Sequence, residues 1–149
     1  MPDSSHITKT EYEVLAEFRY TLRRFLRFSE NAAEKVGLTP QQHQALLEIM
    51  GFPGREKITI GELAERLQIH HHSAVGLVDR LVAEDLIERS PALNDRRQVF
   101  ISLTGHGLSV LEKLSKAHRE ELRLIAPQLR SLLERIIKIT ETNPKKHSD

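Results

Sequence analysis

The chain has 149 residues, enough for one domain with a real core, and a composition of 39% hydrophobic and 29% charged residues excludes a disordered polymer. It has no cysteine, which excludes disulfides, thiolate metal sites and cysteine-based oxidation sensing. With 22 basic and 21 acidic residues the formal net charge is only +1, so any contact with nucleic acid has to come from a local grouping of cations rather than from bulk charge.

No apolar run approaches the roughly 20 residues that cross a bilayer, and the N-terminal MPDSSHITKTEYE has no apolar signal core, so a cytoplasmic protein without a membrane partner is expected. Residues 1–9 and 143–149 are polar, contain Pro2 and Pro144 and have no periodic apolar face, as frayed ends do. The first long helix is predicted over 10–36, where Leu15, Phe18, Leu22, Phe25 and Leu26 recur at helical spacing and Gly37 supplies a stop. A second helix opens at Thr39-Pro40-Gln41-Gln42: Thr39 caps it, Pro40 suits its first position and Gln42 completes a capping box. Leu46, Leu47, Ile49 and Met50 are its expected apolar side, and Gly51 with FPGR breaks it.

Thr59-Ile60-Gly61-Glu62 is a second capping box, so a short third helix starts at Ile60 or Gly61 and buries Leu63, Ala64 and Leu67. A fourth follows Ile69 and runs to about Asp85, with Val75, Val78, Leu81 and Val82 inward and His71, His72, Ser73, Gly76, Asp79 and Arg80 mainly outward. Two helices this short, joined by a tight turn, match a helix-turn-helix. Next come a short strand, a loop with Asp95-Arg96-Arg97, and an alternating strand with Val99, Ile101 and Leu103 on one face. Thr104 caps a fifth helix with Leu108, Leu111, Leu114, Leu122 and Ile125 as its stripe, and Pro127 is expected to break or kink the chain before a sixth helix carrying Leu129, Leu132, Leu133, Ile136 and Ile137.

Helix, helix, strand, basic loop, strand is the order of a winged helix-turn-helix, which offers one helix to a major groove and a charged hairpin to the flanking backbone or minor groove. The predicted fold is mostly α with a small β-hairpin wing: a DNA-binding lobe at 38–103 and long terminal helices, 10–36 and 104–142, in a single chain. These terminal helices are too long and too apolar to be mere caps, and together they can wrap a second copy. A symmetric homodimer of this kind suits double-stranded DNA with a near-palindromic operator, because its two recognition helices meet successive major grooves.

At this point the chain resembles the MarR family of bacterial transcriptional regulators. The match covers about residues 10–142 and is carried by LTPQQHQALLEIM at 38–50, ITIGELAERLQIHHHSAVGLVDRLVAEDLIER at 58–89 and NDRRQVFISLT at 94–104. The family's Asp-x-Arg wing signature falls on Asp95 and Arg97, and its VDRL on Val78–Leu81. The resemblance implies an obligate winged-helix dimer that usually represses transcription and is released from DNA by a small, often aromatic or phenolic, effector.

It also implies that Arg97 sits at the wing tip and reaches into the minor groove, where a narrow groove attracts guanidinium, while Asp95 holds the wing or orients an arginine. Taken alone, a charged hairpin tip is simply solvated; the order of elements favours DNA contact. Arg96 is placed to meet phosphate, and Arg80 either meets phosphate or pairs with Asp79 or a wing carboxylate. His71, His72 and Ser73 begin the recognition helix, where base edges and phosphate are met. The chain departs from the family at His70, where a small cap is usual, and at Gly76, where a longer, often basic residue is common. The implied effector pocket lies near helices 1, 2 and 5, with Phe25, Phe28, His43 and Met50 as candidate lining; the plain alternative for each is ordinary core.

Three consecutive histidines also raise metal. Some relatives are zinc sensors, which keeps a metal-responsive regulator open through His43, His106 and His118. Consecutive histidines point apart, however, and none of these residues has a recognisable ligand spacing, so no metal or cofactor is expected. There is no HExxH, nucleophile elbow or glycine-rich phosphate loop, so no enzyme is expected either. A winged-helix protein-interaction module without DNA binding is the remaining alternative; the wing triplet Asp95-Arg96-Arg97 argues against it, since such a module needs no basic tip.

Overall fold

The computed structural model describes residues 6–92 and 97–141. In chain order the elements are α1 (Lys9–Lys35), α2 (Pro40–Met50), β1 (Ile58–Thr59), α3 (Ile60–Leu67), α4 (His71–Ala83), β2 (Ile87–Pro91), β3 (Val99–Leu103) and α5 (Gly105–Glu141). Asp95 and Arg96 lie outside the described residues.

Both capping boxes form as expected. Thr39 Oγ1 accepts from the Gln42 N–H at 3.1 Å while Gln42 Oε1 accepts from the Thr39 N–H at 2.9 Å, and Thr59 and Glu62 repeat the exchange at 3.1 Å in each direction. Each box satisfies backbone donors that a helix start would otherwise leave open, which is why α2 and α3 begin where the sequence places them.

The chain divides into two compact units, Met1–Ser29 with His118–Asp149 and Glu30–Ala117. The second unit holds a core of Ala45, Leu46, Ile49, Ile58, Leu63, Leu77, Val78, Leu81, Leu86, Ile87, Ile101, Leu111 and Leu114. Its sheet has three antiparallel strands in the order β1-β3-β2. β3 pairs Ile101 with Ile58 of β1 and with Arg89 of β2, so Ile101 stands at the centre of the sheet and is fully buried. The sequence patterning missed β1, because a two-residue strand has no period to detect.

Several predicted faces are rotated. On α4 the inward stripe is Ala74, Leu77, Val78 and Leu81, with Val75 and Val82 only half-buried. The i, i+3, i+4, i+7 spacing is kept, but small Ala74 lets the helix approach the core on a face that a count of valines alone mis-sets. On α2, Leu47 is exposed while Ala45, Leu46 and Ile49 are buried, and on α3 Leu67 is half-buried.

Of the break or kink expected at Pro127, the break is not made: α5 runs 37 residues with Pro127 inside it. Proline removes one donor from the ladder. Ile125 and Leu129 are half-buried and Leu132 is buried at i, i+4 and i+7 along one stripe, so packing on both sides of Pro127 keeps the two halves in one helix.

In the first unit Val14, Thr21 and Leu132 are buried. Leu15, Leu22 and Leu26, which the helical spacing grouped with Phe18 and Phe25, are exposed instead, and Phe18, Phe25 and Phe28 turn half-buried. On α5 Leu122, Leu133 and Ile137 are likewise exposed. Among the described residues no helix is long and apolar enough to cross a membrane.

Candidate nucleic-acid interface

Gln68 ends α3 in the left-handed conformation, with φ of 55°, and its N–H closes back onto Ala64 and Glu65. The Ile69 N–H bonds the Ala64 carbonyl at 3.0 Å, and the chain then enters α4 through His70, whose extended φ and ψ of −66° and 149° make it the N-cap. His70 makes no side-chain cap hydrogen bond, as expected of a residue whose ring is too long for the reach that Ser or Asp has. The first-turn N–H groups of α4 therefore face outward beside three exposed side chains, His71, His72 and Ser73. A helix start of this kind is positive and rich in donors, which suits phosphate.

The rings of His70 and His72 stack, with centroids 5.5 Å apart and planes 8° from parallel. The spacing of consecutive histidines predicts rings that point apart; the stack forms because His70 is outside the helix and its extended backbone turns the ring along the first turn. Among the described residues no group of three His, Asp or Glu side chains is arranged to hold a metal ion.

Arg80 is exposed on the outward side of α4, one turn past Gly76. A Cβ built on Gly76 would meet only Arg80 Nη1, at 4.0 Å. Asp79 does not pair with Arg80. It pairs with Arg89 of β2, a tie between α4 and the hairpin strand. Arg89 escaped the sequence reading; the available signal was an outward acid on the helix followed by an outward base on the next strand. At the far end of α4, Gln42 Nε2 donates to Glu84 at 2.9 Å and links α2 to the C-cap.

The wing is anchored at its base by the start of α5. Thr104 caps α5 as expected, accepting from the Gly107 N–H at 3.0 Å, and its hydroxyl donates to the Asp85 carbonyl at 2.6 Å. Gly107 is required there, since a Cβ would fall 2.0 Å from the Leu86 carbonyl oxygen. Arg97 is exposed in the turn that leads into β3. In the second unit, then, the outward start of α4, Arg80 and Arg97 are joined to one scaffold.

Of the candidate effector residues, Phe25 and Phe28 belong to the first unit and flank His118 edge-on, with centroids at 5.9 and 5.3 Å; His118 Nε2 lies 2.8 Å from Ser29 Oγ. His43 and Met50 belong to the second unit, His43 buried and Met50 half-buried against the core. His106 is exposed at the start of α5.

A family model described as the MarR family matches residues 36–98. The organic hydroperoxide resistance transcriptional regulator of Bacillus subtilis (strain 168) is 30% identical over 111 residues, covering 68% of this chain and 74% of that protein. The HTH-type transcriptional repressor MdtR of the same organism is 32% identical over 74 residues, 50% of this chain and 46% of that protein. Among solved structures, a MepR mutant of Staphylococcus aureus bound to an oligodeoxyribonucleotide superposes with a TM-score of 0.62 at 22% identity, covering 92% of this chain and 95% of that one. That likeness shows the same winged-helix fold.

Proposed function

We propose, from the premise that this chain belongs to the MarR family of transcriptional regulators, that it is a homodimeric repressor which reads a near-palindromic operator and is released by a small molecule. The observation that carries the reading is the Asp79–Arg89 tie, which fixes the outward face of α4 to the wing strand. It leaves His71, His72, Ser73, Arg80 and Arg97 exposed around one scaffold.

In this reading the start of α4 enters the major groove, where His71, His72 and Ser73 meet base edges or phosphate. Arg80 and Arg96 meet backbone phosphate. Arg97 enters the minor groove, with Asp95 holding the wing. Leu15, Leu22 and Leu26 on α1 and Leu122, Leu133 and Ile137 on α5 are exposed apolar residues suited to a second copy, which supports 10–36 and 104–142 as dimerisation helices, with 38–103 as the DNA-binding lobe. The repressor role is supported by the name of the MdtR relative.

A small effector would bind the dimer and release it from DNA. It acts by preferring a spacing of the two recognition helices that no longer fits successive grooves, and linkage then makes DNA weaken effector binding by the same factor. A nuclease footprint on the DNA upstream of the gene tests the proposal. It should show one protected segment with two half-sites about 10 base pairs apart, centre to centre. Uniform protection of the whole fragment would contradict it.

A further inference from the structure

We propose that the cavity between α1 and α5 in the first unit binds a small dianion, held by Arg23, Arg24 and Arg27. The cavity is an open groove of about 460 Å³, lined by Tyr20 and those three arginines, all exposed, and by Glu121.

The charge pattern is what distinguishes it. Arg55, Arg66, Arg89, Arg123 and Arg130 each lie within ion-pair distance of a carboxylate. Among the described residues Arg23, Arg24 and Arg27, like Arg19, Arg80, Arg119 and Arg135, are in none of these ion pairs, and it is Arg23, Arg24 and Arg27 that share one lining. Three guanidinium groups at i, i+1 and i+4 repel one another, and Glu121 is the cavity's single carboxylate. The wall thus carries two uncompensated positive charges, which a dianion would balance.

The chemistry fits an oxyanion. Guanidinium forks grip carboxylate and phosphate oxygens through paired hydrogen bonds, which lysine does less well. Arg24 lies over the Tyr20 ring, 5.6 Å from its centroid, which restricts that guanidinium in advance of binding. At 100° per residue Arg24 and Arg27 centre about 150° around the helix from the exposed Leu15, Leu22 and Leu26, while Arg23 borders Leu26. Arg24 and Arg27 are therefore on a face separate from the leucines proposed to meet a second copy.

The test needs no DNA and so stands apart from the operator reading. The chain has two tyrosines and no tryptophan, so in a Tyr12→Phe background the intrinsic emission reports Tyr20. The intact protein is titrated with inorganic phosphate, succinate and sulfate against sodium chloride at matched ionic strength. The expected result is a saturable change with at least one of the three probes. Its midpoint should weaken about tenfold or more in Arg23→Gln/Arg27→Gln and be largely retained in Arg23→Lys/Arg27→Lys, with unchanged circular dichroism in both. The proposal is overturned if none of the three probes differs from chloride, or if the Gln variant responds like the wild type. It is overturned too if dianions are silent while duplex DNA shifts the emission in an arginine-dependent way, which would make the face a phosphate-backbone contact.

Discussion

Gly76 and Gly107 both sit inside helices, and their surroundings predict opposite outcomes for the same substitution. A methyl at Gly107 would fall 2.0 Å from a backbone carbonyl, so Gly107→Ala must push the start of α5 off the α4–β2 corner. It should cost about 1–3 kcal/mol. A methyl at Gly76 meets only the end of a flexible arginine at 4.0 Å, so Gly76→Ala should gain up to about 1 kcal/mol from helix propensity. Thermal melts of the two variants should move in opposite directions. His70→Ser should also raise the melting temperature, by supplying the missing cap for about 0.5–1 kcal/mol, while the loss of the His70–His72 stack re-aims a ring at the outward start of α4. Equal melting temperatures for His70→Ser and wild type would mean that the stack already compensates for the cap.

Among the elements, α3 carries the resolved electrostatic signal. Burial alone would raise the pKa of Glu62, but hydrogen bonds from Arg55 and from the Thr59 backbone outweigh it and hold the carboxyl below its ordinary value. A carboxyl depressed in the folded state stabilises above its unfolded pKa and loses that contribution as pH falls through the folded one. The stability gap between wild type and Glu62→Gln should therefore be constant above about pH 5 and close as pH falls below about 4. A gap that widened with acid would contradict the capping role. These capping boxes were legible in the sequence because they are local, with Thr and Gln or Glu three residues apart. The Asp79–Arg89 tie and β1 were not, because each depends on which strands come together in space. The phase of α4 is not visible in its valines, because alanine at position 74 buries as well as valine does when the helix must approach closely. Pro127 does not end the helix, since one lost donor is a small part of a 37-residue ladder packed on both sides.

At the level of the whole molecule, the resemblance to a known family was legible from the order of the motifs, whereas the exposed leucines of α1 emerged only once the buried face was known. If those leucines join two copies, Leu22→Glu/Leu26→Glu should give monomers in sedimentation velocity and lose operator binding, because one lobe holds only half of the phosphate contacts. A dimer that survived both substitutions would place the interface elsewhere. The most direct measurement is fluorescence anisotropy with a labelled duplex from upstream of the gene and a scrambled control, for wild type and Arg97→Ala across a salt series. The expected result is wild-type binding that exceeds the scrambled duplex and weakens with salt, with Arg97→Ala about tenfold or more weaker on the operator at unchanged fold. Equal, weak binding of both duplexes by both proteins would contradict operator reading by α4 and the wing.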